Sequence, residues 1–299
     1  MPTMSRTQAQ RLIEQGHVLV DGVRAERAAL LVEASSSIEV SMPVVEIDPA
    51  AEAASLVVLY EDEHVLVIDK PAGLIVHAVT GAAVSGGPRG LSLVDVVRAH
   101  YPDAEDLQDG DYRAGVVHRL DRDTTGALAF AKTDVARDTL KDQWRARDTL
   151  KQYVTLVEGF VEPTAGDIDA PLGADPNDPR RRAVVETGDS AYTEYRVREQ
   201  YGDEAALLDV TIRTGRTHQI RVHLEAVGYA VIGDTLYGRR SELIGRQALH
   251  AARLGFRLPS TGEWREFEAE MPADMRTAVE TLRARHGVAA ADSVGGRGR

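Results

Sequence analysis

The chain has 299 residues, of which 43% are hydrophobic and 27% are charged, and its formal net charge at pH 7 is −12. This length favours two domains, or one large domain with a small addition, and the composition argues against disorder over most of the chain. There is no cysteine, no secretory signal and no apolar run of about 18 residues, which excludes disulfides and thiolate metal sites and predicts a cytoplasmic protein.

The first 46 residues are predicted to form a small module of their own. Ser5 is a plausible N-cap for a helix that Gly16 ends, and Asp21-Gly22 is a strong hairpin signal between alternating apolar positions. A closing strand is predicted at "SIEV". Residues 47–55 are acidic and Pro-containing, which is typical of a linker.

From residue 56 to 287 short strands and helices alternate irregularly. Strands are predicted at 127–131, 152–158, 191–198 and 205–213, and helices at 91–100, 134–148 and 217–227. Because the strands and helices do not follow one another in a regular β-α-β order, the pattern favours the α+β class over a regular doubly wound sheet. The glycine-rich loop at 81–90 lacks the strand-GxGxxG-helix order and a P-loop lysine, so a nucleotide site is not expected there. Residues 288–299 are predicted to be a disordered tail.

Residues 116–133 read "VVHRLDRDTTGALAFAKT" and place several charges between apolar flanks. We expect a strand-like run at 115–117, then a loop that carries His118, Arg119 and Asp121, then the next strand. A carboxylate in such a place needs a cationic partner, because burying it unpaired is costly. Two interpretations stay open: a structural ion pair between Asp121 and Arg119, or a catalytic role for Asp121.

A second cluster, "TGRTHQIRVHLEAVG", occupies residues 214–228. Thr217 is predicted to cap a helix that Gly228 ends, with Ile220, Leu224 and Val227 as its apolar stripe. Arg221 lies one turn inside the helix N-terminus, where a guanidinium, the helix dipole and free amides favour an anion. Arg221 is therefore a candidate for holding Asp121 ionised.

The two histidines of this cluster are not expected to bind zinc. The spacing between His218 and His223 puts them on different helical faces, so local hydrogen bonds are the simpler interpretation. Tyr153, in the strand-like "KQYVTLVEG", has two interpretations as well: a core residue, or an aromatic ring that stacks on an exposed base. The pattern alone does not choose between them.

Five spaced motifs together resemble the RluA/RluD family of pseudouridine synthases, which modify ribosomal or transfer RNA. They are "DKPAGLIVHA", "HRLDRDTTG", "KQYVTLVEG", "TGRTHQIRVHLEAVGYAVIGDTLYG" and "LHAARLGF", in the family's order over roughly residues 56–275. The family usually has serine at Thr125 and proline at Ala78, and we expect only local loop differences there. The N-terminal residues resemble a truncated ribosomal-protein-S-four-like RNA-binding module whose first helix has no sequence to form it.

The resemblance implies the pseudouridine synthase fold, with a mixed, mainly antiparallel central sheet flanked by helices and loops. It implies an isomerase that breaks the N-glycosidic bond of a uridine, rotates the uracil and rejoins it through carbon five, without metal or organic cofactor. Asp121 is then the catalytic aspartate, Arg221 its ion-pair partner and Tyr153 the stacking ring. The expected substrate-binding residues are His118, Arg119, Arg216, His218 and Leu249.

The resemblance also implies a monomer that binds RNA, with large-subunit ribosomal RNA expected and transfer RNA as an alternative. The net charge of −12 disfavours a polyanionic partner overall, since nucleic-acid affinity depends on phosphate neutralisation. Charge is unevenly placed, however, and the arginines at 180–182, Arg213 and Arg216 are candidates for phosphate contact. Whether Asp121 attacks the sugar or removes a ribose proton stays open.

Two other classes of function compete with this one. A noncatalytic RNA-binding protein could keep the fold without the chemistry, although Asp121, Tyr153 and Arg221 are all present. A phosphotransferase is suggested only by "HRLD", which is similar to a kinase HRD loop but lacks the downstream Asn, a DFG triplet and a nucleotide loop.

Overall fold

The structure is a computed structural model that describes residues 10, 13, 16–25, 27, 29–33, 35–40, 55–77, 92–101 and 115–289. Most of the helix predicted near the N-terminus and most of the linker at 47–55 lie outside these ranges. The glycine-rich loop at 81–90 and residues 290–299 of the predicted tail also lie outside them.

The N-terminal strands form a small antiparallel sheet. They are β1 (Val18–Val20), β2 (Val23–Arg24) and β3 (Ile38–Val40), in the order β2-β1-β3. Asp21 and Gly22 connect β1 to β2 with φ values of 50° and 79°. Two positive φ values are what a two-residue hairpin turn requires, and Asp-Gly is suited to them. The predicted hairpin and closing strand are confirmed.

The remaining strands follow in chain order. They are β4 (Val57–Glu61), β5 (Val65–Lys70), β6 (Thr125–Ala131), β7 (Leu150–Glu158), β8 (Ala165–Asp169), β9 (Leu172–Ala174), β10 (Arg182–Val184), β11 (Tyr192–Tyr201), β12 (Ala205–Ile212), β13 (Leu249–Arg257) and β14 (Trp264–Glu268). Nine of them form one sheet in the order β4-β5-β6-β13-β7-β12-β11-β8, with β14 on β13, while β9 and β10 pair separately. All neighbours in the large sheet are antiparallel except β6 and β13. The mixed, mainly antiparallel sheet is confirmed.

Four helices are described: α1 (Leu93–His100), α2 (Asp134–Ala146), α3 (Gln219–Ala226) and α4 (Ala273–His286). Ser92 caps α1 in a capping box with Asp95, and the Thr133 hydroxyl caps α2. The predicted helices at 91–100, 134–148 and 217–227 are confirmed with slightly shorter bounds. None of these helices has both the length and the apolar character needed to cross a membrane.

The core lies on both faces of the central strands. Along β5, Leu66 and Ile68 belong to the cluster that includes α1, while Val65 and Val67 belong to the cluster that includes α2. Alternate residues of a strand point to opposite faces, so this strand is apolar throughout because both faces are covered. The prediction of a strand at 115–117 is wrong: only Val116 makes a bridge, to Phe130 of β6. The segment leading to Asp121 is therefore a loop laid along β6.

Gly126 brings β6 and β13 together. A side chain at this position would place Cβ 2.3 Å from the carbonyl oxygen of Ala251, and φ is +114°. Only glycine tolerates both the contact and the backbone conformation. The glycine of the "HRLDRDTTG" motif thus fixes the loop that carries Asp121 beside the start of β13.

Candidate active site

A narrow pocket lies where the loop before β6 meets the loop after β12 and the first turn of α3. Its lining includes Leu120, Asp121, Tyr153, His218, Arg221 and Leu249, with Arg119 and Arg216. These residues come from four separate parts of the chain. The structure thus brings together seven of the eight residues that the sequence predicts for the site, leaving out only His118.

Asp121 and Arg221 form an ion pair in this pocket. The Arg221 Nη1 group donates a hydrogen bond to Asp121 Oδ2 at 2.9 Å, across a separation of 100 residues in the chain. The Arg221 side chain is buried, and that of Asp121 is 16% exposed. Among the described residues no group donates a hydrogen bond to Asp121 Oδ1, and His218 Nε2 lies 4.0 Å from it. One carboxylate oxygen is therefore held and the other is open to a ligand.

No ion pair is found between Asp121 and Arg119 within the described part of the chain. Arg119 is exposed at the mouth of the pocket instead. The partner of Asp121 is the arginine from α3.

Asp234, which the sequence analysis did not identify, fixes the orientation of Arg221. Its Oδ2 and Oδ1 atoms accept hydrogen bonds from Arg221 Nε at 2.6 Å and Nη2 at 2.9 Å. Asp234 Oδ1 also accepts the backbone N–H groups of Leu236 and Tyr237 at 2.9 and 3.1 Å. This two-point contact matches the planar guanidinium and leaves Nη1 directed at Asp121. The signal in the sequence was "GDTLYG", the end of the fourth motif.

The two carboxylates keep Arg221 charged in spite of its burial. Burial alone would lower the pKa of the guanidinium, but hydrogen bonds to Asp234 and the charges of Asp121 and Asp234 raise it above its usual value. For Asp234 the effects are reversed. Burial alone would raise the pKa of its carboxyl group, but the hydrogen bonds from Arg221 lower it below its ordinary value. Asp121, Arg221 and Asp234 therefore form one network of ion pairs, in which the charge of the arginine offsets those of the two carboxylates.

Tyr153 and Leu249 form the apolar wall of the pocket on neighbouring strands β7 and β13. They are 8% and 4% exposed, respectively. Burial raises the pKa of the Tyr153 phenol above its usual value, and the charge of Asp121 raises it further. The phenol is therefore protonated at neutral pH, which suits a ring that packs against a base better than one that removes a proton.

The first turn of α3 is not capped as the sequence predicts. His218, not Thr217, is the N-cap; it has φ 59° and makes no side-chain capping bond. The Gln219 Oε1 atom instead accepts hydrogen bonds from the Thr214 hydroxyl at 2.8 Å and the Arg216 N–H at 3.0 Å. The prediction of Val227 as part of the apolar stripe is also wrong, because it is 43% exposed. The buried Gln219 side chain thus organises the turn that presents His218 and Arg221.

The histidines of this region make local hydrogen bonds, as predicted. His218 Nδ1 lies 2.8 Å from the Tyr237 hydroxyl, and His223 is bonded to Thr193 Oγ1 and the Ala170 carbonyl. Burial lowers the pKa of His218, against an opposing effect of Asp121, so its ring is neutral at neutral pH. No group of three or more His, Asp or Glu side chains suited to a metal ion occurs among the described residues.

His118 is absent from the lining of the pocket and lines a neighbouring cavity instead. Its Nε2 atom accepts the Ala129 N–H at 3.0 Å, and its ring packs against Trp144 with centroids 4.8 Å apart. Burial, with a contribution from the charge of Lys151, lowers the pKa of His118 to about 3. A neutral ring whose nitrogen is already bonded to the backbone positions the loop that leads to Asp121.

Lys70 supports the same loop from the other side, and sequence reasoning assigned it no role. Its Nζ donates hydrogen bonds to the carbonyl oxygens of Pro71, Arg122 and Thr124 at 2.7, 2.8 and 3.0 Å. Burial lowers the pKa of this fully buried lysine to about 8. Its position in the motif "DKPAG" was the only indication in the sequence.

The arginines proposed to contact phosphate are mostly engaged in ion pairs. Arg180 pairs with Asp178, Arg181 with Asp175 and Glu225, Arg213 with Glu194, and Arg216 with Asp189. Arg182 is exposed and has no ion pair within the described ranges, and its backbone N–H donates to Tyr237. Only Arg213 and Arg216 lie next to the pocket.

Comparison with known proteins gives two family matches. Residues 64–226 match the model of the RNA pseudouridylate synthases, and residues 4–38 match the S4 domain. An RNA pseudouridine synthase of Chloroflexus aurantiacus is 48% identical over 95% of this chain and 88% of its own length. The ribosomal large subunit pseudouridine synthase D of Nitrosomonas europaea is 39% identical over 95% of this chain and 82% of its own length.

A solved structure supports the fold. The human RNA pseudouridylate synthase domain containing 4 superposes with a TM-score of 0.60 and 23% identity, covering 79% of this chain and 97% of that one. At this identity the likeness extends to the fold alone.

Proposed function

The chain belongs to the RNA pseudouridylate synthase family, and from this premise we propose that it modifies specific uridines of large-subunit ribosomal RNA, with Asp121 as its catalytic carboxylate. Its activity is the isomerisation of uridine to pseudouridine in RNA. The choice of ribosomal RNA is supported by three relatives named ribosomal large subunit pseudouridine synthase D, which are 34–39% identical over nearly the whole chain.

The observation that supports a catalytic role for Asp121 is that only one of its two carboxylate oxygens accepts a hydrogen bond from the described residues. Oδ2 is held by Arg221, whose other donors are fixed by Asp234, while Oδ1 has no donor within the described residues. The oxygen left without a donor is the one available to attack carbon or to accept a proton. Asp121 lines the pocket, from which we infer that a substrate reaches this oxygen.

The reaction is redox-neutral and needs a carboxylate beside the sugar. The bond between N1 of uracil and C1′ of ribose breaks, the detached base rotates, and C5 bonds to C1′. C5 then gives up its proton and N1 ends as N–H, so that the product is an isomer of the substrate. Asp121 either forms a bond to C1′ or removes the C2′ proton, and both routes need an anion close to that part of the ribose. Arg221 stabilises the same anion when the carboxylate is released at the end of the cycle.

The target nucleotide must leave its stack before Asp121 can reach the sugar. Unstacking costs a few kcal/mol, which contacts in a fitted pocket offset. Tyr153 and Leu249 supply an aromatic face and an aliphatic face there, and a base stacked on an aromatic ring gains about 1–3 kcal/mol. Arg119 and Arg216, exposed at the mouth, are placed to contact the phosphates on either side.

The test is release of tritium from RNA labelled at carbon five of uracil. We expect release from large-subunit ribosomal RNA transcripts and none from a transfer RNA pool of the same specific activity. Release from transfer RNA alone would overturn the substrate choice but not the activity. A protein that binds ribosomal RNA and releases no tritium from either pool would be the noncatalytic alternative, and it would contradict the role of Asp121.

The S4 match supports RNA binding by the N-terminal residues. The division into a module at 1–46, a linker at 47–55 and a catalytic domain at 56–287, the monomeric state and the cytoplasmic location stay predictions.

A further inference from the structure

A basic groove adjoins the active-site pocket and shares Arg119, Tyr153 and Arg216 with it, but the rest of its lining has no part in the proposed mechanism. Its walls come from the second half of α2, from β7 and from the loop after β12. The free volume of the groove is about 490 Å³, against about 60 Å³ in the pocket. The groove is therefore the roomier of the two cavities and has space for a stretch of a polymer.

The cations of this groove are unusual for a chain with a net charge of −12. Seven lysines and arginines line it. Three of them are paired with carboxylates: Arg145 with Asp142, Arg213 with Glu194 and Arg216 with Asp189. The other four, which we call the unpaired groove cations, have no carboxylate in ion-pair contact among the residues that the structure describes: Arg119, Lys141, Arg147 and Lys151. The groove thus has a surplus of positive charge.

Helix α2 and its end set the position of these charges. Lys141, Trp144 and Arg145 lie three and four residues apart, so they share one helix face. Arg147 ends the helix in the left-handed conformation, with φ 61°. The Trp144 ring is held between His118 and Phe256, with centroid distances of 4.8 and 5.7 Å. A fixed indole therefore stands among the cations.

Lys151 lies deeper than the other three, on β7. It is 6% exposed, and within the described ranges its Nζ donates one hydrogen bond, to the carbonyl oxygen of Arg213 at 3.4 Å. Burial, together with the charge of Arg147, lowers its pKa to about 8. A nearby anion would compensate both effects, because an opposite charge favours the protonated form.

The groove and the pocket are continuous. Five residues line both of them, namely Arg119, Tyr153, Ile212, Gly215 and Arg216. A nucleotide in the pocket is covalently joined to neighbours on both sides, so one of those neighbours must leave through a shared opening. The groove begins at the opening that these residues form.

We propose that this groove binds the backbone of single-stranded RNA next to the target nucleotide, with the unpaired groove cations contacting its phosphates and Trp144 contacting a sugar or base. Unpaired cations with an aromatic face between them are the combination that recognises a single strand without regard to sequence. The inference rests on the proposed function, since it takes the pocket as the place of the modified uridine.

The experiment removes two of these charges where the backbone tolerates it. Lys141→Gln keeps a good helix former on a partly exposed helix face, and Arg147→Gly suits the left-handed conformation. The matched control is Arg240→Gln with Arg276→Gln, two exposed arginines outside the groove, which changes the net charge equally. Lys141→Gln alone serves if the double variant does not fold.

The readout is the affinity for a fluorescent single-stranded RNA of mixed sequence, measured as a function of salt. Each lost phosphate contact lowers the slope of log K against log salt by about 0.7, so the double variant is expected to lose about 1.4 and the single variant about 0.7. The control keeps the wild-type slope. In the tritium assay the double variant is expected to raise KM for the RNA.

Each result has a distinct meaning. If the groove variants keep the wild-type slope and KM while the wild type releases tritium, the groove inference is wrong and the proposed function stands. If the slope falls as expected but no RNA yields tritium, the groove binds RNA and the proposed function fails. Equal losses in the groove variant and in the control would also overturn the inference, because they would report net charge alone.

Discussion

The orientation of Arg221 is the residue-scale feature on which the site depends. A lone guanidinium beside Asp121 could rotate, but two hydrogen bonds to the buried Asp234 fix its plane. The Tyr237 ring packs on the same guanidinium, with Cζ 4.9 Å from the ring centroid. Asp121 thus receives one defined donor from a preorganised group.

Removing this guanidinium is expected to damage both folding and catalysis. In Arg221→Met the carboxylate of Asp234 stays buried without its partner, so we expect a loss of about 3–5 kcal/mol in the free energy of unfolding. Activity falls as well, because Asp121 loses the donor that fixes the position of its carboxylate. Denaturant unfolding and tritium release measure the two effects, with Arg276→Met as an exposed control. An unchanged free energy of unfolding would argue against a buried ion pair between Arg221 and Asp234.

At the same scale, the sequence predicted Asp121 and Arg221 but not Asp234 or Lys70. The pair was predicted because a buried carboxylate needs a cation and because both residues lie in motifs of the family. Nothing local to Asp234 or Lys70 shows that their side chains turn inward, since the partners that draw them in, Arg221 for Asp234 and Thr124 for Lys70, lie 13 and 54 residues away. Tyr153 illustrates a different outcome: its two interpretations were not exclusive, because it is a buried residue that also lines the pocket.

Helix α4 is an element that the sequence analysis did not predict, and a charge pair holds it to the sheet. Arg283 of α4 donates a hydrogen bond to the buried Glu199 of β11 at 2.8 Å, and the Tyr201 hydroxyl donates to the same carboxylate at 2.9 Å. The hydrogen bond from Arg283, against the effect of burial, lowers the pKa of Glu199 below its ordinary value of 4.5. Protonation of Glu199 would therefore weaken the attachment of the helix.

This pair predicts a specific dependence of stability on pH. Because the pKa of Glu199 is lower in the folded protein, its contribution is fully present above about pH 4.5 and is lost as pH falls through the folded pKa. We expect Arg283→Met to cost about 1–3 kcal/mol at pH 7. The difference from wild type should shrink below pH 4, as measured by denaturant unfolding across pH. A difference that stays constant down to pH 3 would show that the ion pair is not its origin.

Elements with local signals were predicted well, and elements defined by distant contacts were not. Helices α1 and α2 have capping side chains at Ser92 and Thr133, and the β1–β2 hairpin has its Asp-Gly turn. The N-cap of α3 was predicted one residue early, at Thr217. The turn before the helix is held by the Gln219 side chain, whose oxygen accepts a hydrogen bond from the Thr214 hydroxyl. Strand β13 was only a motif in the sequence, since its place between β6 and β7 is a property of the whole sheet.

For the whole molecule, net charge was a poor guide to the partner. Most carboxylates that lie near the described arginines are engaged with them in ion pairs, so the total of −12 says little about any one surface. The groove cations Lys141 and Arg147 were missed because the local sequence "KDQWRARD" mixes both signs. Only the fold shows that Asp142 and Asp148 pair with Arg145 and Arg257, while Lys141 and Arg147 line the groove.

The central claim is that the Asp121 carboxylate performs the chemistry, and single-turnover formation of pseudouridine in large-subunit ribosomal RNA tests it most directly. The variants are Asp121→Asn and, as control, Asp123→Asn, which lies in the same loop but outside the lining of the pocket. We expect Asp121→Asn to bind the RNA with nearly wild-type affinity and to react at least about 10³-fold more slowly, since loss of a group that acts on a proton or a carbon removes a factor of this order. The control should react at the wild-type rate. A rate for Asp121→Asn equal to that of the control would contradict the account.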